Sequence, residues 1–142
     1  MTKKNYLVDY AKSFNWAAFF LPKITYNHCS KLYSFCRILD NIVDEKDDLT
    51  VKIKRFNEFK NVFKNNYQLD NQEMQSNNKN EYAIVVTDMN DLANNNNIKK
   101  IILNDLIEGV ESDLKKNVNF RSVKDLLIYS YKVAGTVGLM MA

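Results

Sequence analysis

The chain has 142 residues, enough for one domain of ordinary size. Its 20 basic and 17 acidic residues are interspersed and leave a net charge of +3, so it lacks the basic stripe that nucleic-acid binding needs. Three glycines, one proline and 46% hydrophobic residues make a helix-rich composition, too poor in turn residues for an all-β fold.

Helical periodicity then predicts about six elements in order. The first covers residues 6–20 and stops at Leu21-Pro22, because the residue before a proline is pushed out of the helical region. Its aromatics Phe14, Trp16, Phe19 and Phe20 read as core. The polar residues 1–4 carry no secretory signal, and no apolar run approaches the roughly 18 residues of a bilayer span. A reducing, cytoplasmic setting is the expectation. Contact with a membrane surface stays open, since several faces carry Phe, Tyr and Trp.

A second helix is expected over residues 27–45 and holds the most informative stretch, KLYSFCRILDNIVDE. At 3.6 residues per turn Tyr33, Arg37, Asp40 and Asp44 fall within about 60° of one another, while Leu32, Phe35, Cys36, Leu39, Ile42 and Val43 lie mostly opposite. Two carboxylates one turn apart repel, and beside apolar surface they need a positive partner. Two readings of that stripe stand side by side. It is either solvated helix surface or an oxygen-ligand site for a divalent cation, most naturally Mg²⁺ bridging to a phosphate. Arg37 in line with the acids favours the second, being a bidentate phosphate partner. Cys29 and Cys36 lie seven residues apart on this helix, too far along its axis to pair.

Residues 47–50 break the chain, with Thr50 able to cap a third helix carrying Ile53, Phe56, Phe59, Val62 and Phe63. Residues 65–80 are rich in Asn and Gln and read as a loop. A fourth helix is expected over 81–93 despite the β-branched run Ile84-Val85-Val86-Thr87, and residues 94–97 interrupt it. The fifth, residues 98–116, is amphipathic, with Ile98, Ile102, Leu106, Gly109, Val110 and Asp113 on one face. Asp113 on that face needs a partner or a water-filled cavity. Gly109 costs helix stability and so implies a packing or ligand-clearance reason. Ser122 with Asp125 resembles a capping box opening the last helix. Within it, the glycines of VAGTVG imply a close crossing, a kink or a thinned wall for a long apolar ligand. Tyr129 lies one turn before Val133, where its hydroxyl reaches a phosphate if one binds. His28 has no partner at metal spacing.

Taken together, SFNWA (13–17), Leu21-Pro22, LYSFCRILDNIVDE, LIEGVESDL (106–114) and YSYKVAGTVGLMM (129–141) resemble the squalene/phytoene synthase family, closest to the bacterial phytoene synthases. The resemblance implies an all-α isoprenoid-synthase bundle and head-to-head condensation of two prenyl diphosphates, geranylgeranyl or farnesyl, through a cyclopropyl intermediate. It implies Mg²⁺ (or Mn²⁺) on Asp40 and Asp44, and diphosphate and reacting-centre roles for Arg37 and Tyr33, beside which Tyr129 is a further candidate catalytic residue. It places substrate contacts at Ser13 and Phe14 in a flap, at Asp113, and at Val133, Ala134 and Gly138 in a tunnel wall. Asn41 and Ala11 depart from the family pattern, where a second Asp and a flap Ser are common. Members are much longer, and their second aspartate-rich motif lies past the position of Ala142. Residues 1–142 are therefore expected to be the N-terminal part of a single such domain, an incomplete bundle inactive and association-prone by itself. The alternative from another class is a non-catalytic helical assembly or binding protein of the same fold.

Overall fold

The computed structural model describes residues 16–17, 20–44, 46–65, 77–115 and 120–142. The 6–20 helix lies outside the described residues except for Trp16, Ala17 and Phe20. Every described element is helical, so the all-α expectation holds.

Helix α1 is Lys23–Asp44, starting one turn before the expected residue 27. Pro22 explains the early start: its carbonyl accepts the Tyr26 N–H at 2.9 Å, and its missing N–H costs nothing where the first donors are unpaired anyway. Helix α2 is Leu49–Asn65. The Asp48 carbonyl, not Thr50, opens it, accepting from the Val51 and Lys52 N–H groups at 2.9 and 3.1 Å. Thr50 sits inside the first turn, which corrects the capping expectation. Lys52 Nζ reaches back to the Val43 carbonyl at 2.6 Å, satisfying an acceptor at the end of α1.

Helix α3 is Asn77–Asn95 and begins inside the stretch read as loop. Its β-branched run stays helical because Val85 and Val86 are buried in the core, where packing outweighs a propensity deficit of tenths of a kcal/mol. The chain turns at Asn97, which takes a left-handed φ of 55° after the Ile98 N–H has closed onto the Ala93 carbonyl. Asn tolerates that conformation, so the interruption falls where expected. Helix α4 is Lys100–Ser112, with a tightened turn carrying Asp113, Leu114 and Lys115 beyond it.

Helix α5 is Val123–Ser130, and Ser122 Oγ accepts the Asp125 N–H at 3.1 Å, the capping contact read from the sequence. The rod continues without a break through a π turn, Tyr131–Gly135, into helix α6, Thr136–Met141. None of the α5 side chains is buried.

The core sits between α1, α2 and α3. Phe35 packs against Phe59 and Phe63 with ring centroids 5.7 and 6.2 Å apart, and Phe59 meets Tyr82 edge-on at 5.5 Å. Leu39, Met89, Val86 and Leu103 fill the space around them. Two expectations about apolar residues are corrected. Ile53 is exposed, and Trp16 and Phe20, read as core, are both 72% exposed and stack edge-on against each other. Ion pairs tie the bundle at its margins: Lys60 spans both Glu111 oxygens at 2.8 Å between α2 and α4, and Lys132 meets Glu108 at 2.8 Å.

Candidate functional site

One cavity lies where α1, α4 and the last helix converge, and it encloses about 320 Å³. α1 lines it with Cys29, Leu32, Tyr33, Cys36, Leu39 and Asp40, a run that returns to one face about every turn. Leu106 and Val110 come from α4, with Asp113 just past its end, and Val133, Val137 and Met141 close the third side. The wall is apolar apart from Tyr33, the two acids and the thiols. That is the composition of a ligand pocket: an apolar body with a few convergent polar groups. Leu32, Cys36 and Leu39 thus serve core and cavity together.

The acids face each other across two helices. Although exposed along one side, Asp40 lies against apolar surface, and that lost hydration pushes its carboxyl above the ordinary aspartate value. The Asp44 charge one turn on pushes the same way, Arg37 opposes it, and Asp113 adds a further push from the α4 side. Negative charge therefore converges at the exposed end of an apolar cavity. Asp44 is exposed and does not line the cavity, but its charge reaches Asp40.

Asp113 has the partner its burial demands. Tyr129 Oη donates to Asp113 Oδ1 at 2.8 Å, joining α5 to the end of α4. The Tyr129 ring also packs against Phe120, with ring centroids 5.2 Å apart. Partial burial, then the bond and the charge of Asp113, raise the Tyr129 pKa, so it stays a protonated donor at neutral pH. Burial first, and Asp40 second, push the Cys36 thiol up to about 12. That thiol is not a nucleophile at neutral pH, and both cysteines are free.

The structure brings together Tyr33, Asp40, Asp113 and Val133 around the cavity, with Arg37, Asp44 and Tyr129 at its margin. It does not bring Ala134 or Gly138 there. Both are exposed, and a side chain at 138 would meet nothing within 4 Å. The wall is built instead by Val133, Val137 and Met141, whose four-residue spacing is the signal that sequence reading passed over. Ser13 and Phe14 lie outside the described residues.

The donor set suits a hard cation. All candidate ligands are carboxylate oxygens, and the protonated Cys36 offers no competing thiolate. Among the described residues no three ligating side chains form a closed cage. An ion that keeps several waters and shares a substrate phosphate needs none. No helix among the described residues is long and apolar enough to cross a membrane.

Comparison with known proteins places these residues in context. Residues 7–142 match the family described as squalene/phytoene synthase. The chain is 29% identical over 136 residues to 4,4'-diapophytoene synthase of Staphylococcus haemolyticus, covering 94% of this chain and 43% of that protein. It is 25% identical over 132 residues to phytoene synthase 1, chloroplastic, of Solanum lycopersicum, covering 93% and 29%. A shorter stretch of 36 residues is 58% identical to phytoene synthase 3, chloroplastic, of Zea mays. The chain spans less than half the length of these relatives.

Proposed function

The chain belongs to the squalene/phytoene synthase family, and from that membership we propose that it serves the head-to-head condensation of two prenyl diphosphates in carotenoid biosynthesis. The observation that carries the reading is the joining of converging acids to an apolar cavity, a shape that takes a charged head at one end and a long hydrocarbon tail in its body. Geranylgeranyl or farnesyl diphosphate has that form.

In this reading Asp40 and Asp44 hold Mg²⁺, which when bound draws charge from the departing diphosphate. Arg37 supplies positive charge beside the same acids and orients the diphosphate oxygens. Tyr129, fixed by Asp113 and kept protonated by burial and then by that bond, presents a hydrogen-bond donor near the reacting end. Tyr33 offers its ring and hydroxyl on the α1 wall. Leu106, Val110, Val133 and Val137 exclude water from a developing carbocation. The two free cysteines suit a reducing, cytoplasmic compartment.

The test is calorimetric binding of geranylgeranyl diphosphate with and without Mg²⁺, in wild type and in Asp40→Asn and Asp44→Asn. Binding that requires Mg²⁺ and weakens about tenfold or more in both variants, some 1.4 kcal/mol, supports the assignment. Equal binding without the metal, or unchanged binding in both variants, removes it. A second reading, a non-catalytic helical assembly protein of the same fold, is favoured by the wholly unburied face of α5. That reading predicts no prenyl diphosphate binding at all.

A further inference from the structure

Gly109 is the point at which the α4 wall of the cavity touches the opposite wall. A Cβ added there would lie 2.7 Å from Lys132 Cβ, 3.0 Å from Val133 Cγ1 and 3.2 Å from the Lys132 carbonyl carbon. These are not the free ends of flexible side chains. Two are fixed directly by the backbone of the π turn, so the turn itself would have to move by about 0.7 Å to reach ordinary contact at 3.4 Å. At this contact Lys132 Nζ donates to Glu108 Oε2 at 2.8 Å, and the Lys132 carbonyl accepts from the buried Thr136 Oγ1 at 2.7 Å within the same rod. On either side of this contact stand cavity residues: Val110 follows Gly109, and Val133 follows Lys132.

We infer that Gly109 is a positioning residue that sets how closely Val133 approaches Val110, and through that spacing the grip of the cavity on a hydrocarbon tail. The inference rests on the prenyl diphosphate reading above. Gly109 presses on Lys132 and Val133 and on neither acid, so its direct effect falls on the wall that holds the tail. A radial gap of 0.5–1 Å forfeits a quarter to a half of each dispersion contact, so a displaced Val133 weakens tail binding without touching the head group. The π turn contributes to this arrangement. Such turns are rare and concentrate at functional sites, and here the turn supplies the two residues pressed against the glycine.

The experiment compares Mg²⁺-inorganic diphosphate with Mg²⁺-farnesyl diphosphate and Mg²⁺-geranylgeranyl diphosphate by calorimetry, using wild type, Gly109→Ala, and Gly109→Ala combined with Lys132→Gly. Far-UV circular dichroism is recorded for each protein. The expected result is a loss of about fivefold or more in the affinity advantage that the prenyl tail confers on Gly109→Ala, with inorganic diphosphate changed less than twofold. Lys132→Gly deletes the atom at 2.7 Å and should restore much of the advantage. An unchanged tail advantage in Gly109→Ala overturns the inference. So does an equal loss for inorganic diphosphate, or a loss of helicity that the double variant does not repair, since either makes the glycine merely structural. A wild type that binds prenyl diphosphates no better than inorganic diphosphate overturns the functional reading itself, and this inference with it.

Discussion

Asp40 carries a charge that the fold disfavours. Its folded pKa is raised by lost hydration and by Asp44, so the unfolded chain gives up that proton at lower pH than the folded one. Stability from this residue is complete below the ordinary aspartate value and falls as pH rises through the raised one. Urea midpoints for wild type and Asp40→Asn between about pH 3 and 7 should therefore diverge, the variant gaining relative to wild type as pH rises. A constant difference across that range would mean that Asp40 is not strained by its neighbours. Glu108 works in the opposite sense: Lys132 lowers its pKa, and its contribution is lost as pH falls. Cys36 offers a second check at this scale. A thiol with pKa about 12 is ionised to roughly one part in 10⁴ at pH 8, so iodoacetamide should modify Cys29 long before Cys36 in the folded chain. Equal rates at the two positions would show that the α1 face is not packed as described.

Helix α1 does two jobs with one stripe pattern. Its apolar side meets α2 and α3, and the flank where that side joins the acid stripe, Tyr33 and Asp40 included, lines the cavity. Leu39 is fully buried and belongs to both, so Leu39→Ala should cost about 2–5 kcal/mol in urea unfolding, as a core cavity does. A loss below about 1 kcal/mol would mean that the existing cavity already relieves the site. Much of this was legible beforehand. The spacing of Tyr33, Arg37, Asp40 and Asp44, the Ser122 cap and the place of the Asn97 turn all follow from local rules. The start of α1 was not, because the proline that the sequence marks as a helix stop is also where α1 begins its first turn. The split of the last rod was also hidden: Val133 of the π turn faces the cavity while Ala134 and, in α6, Gly138 face solvent, and only the packing against α4 orients that rod.

The whole molecule leaves one flank of its surface apolar. On α5, Val123 is 74% exposed and Leu127 64%, with Leu126 and Ile128 exposed beside them. Contiguous patches beyond several hundred Å² drive association. Light scattering should therefore report concentration-dependent self-association, relieved by Val123→Glu with Leu127→Lys at unchanged helicity. A monodisperse wild type at high concentration would show that this flank is not sticky enough to matter.

Local chemistry determined the helices, the acid stripe and the family to which the chain belongs, because periodicity, caps and motif spacing are properties of neighbouring residues. Only the tertiary structure decided that Tyr129 bonds Asp113, that Gly109 is pressed against the π turn, and which side of VAGTVG forms a wall. Those facts join residues 16 to 24 positions apart, and no local rule states how two helices rotate about their own axes when they meet. That rotation is set by the fit of side chains across the crossing, and here by a glycine small enough to let the backbones touch.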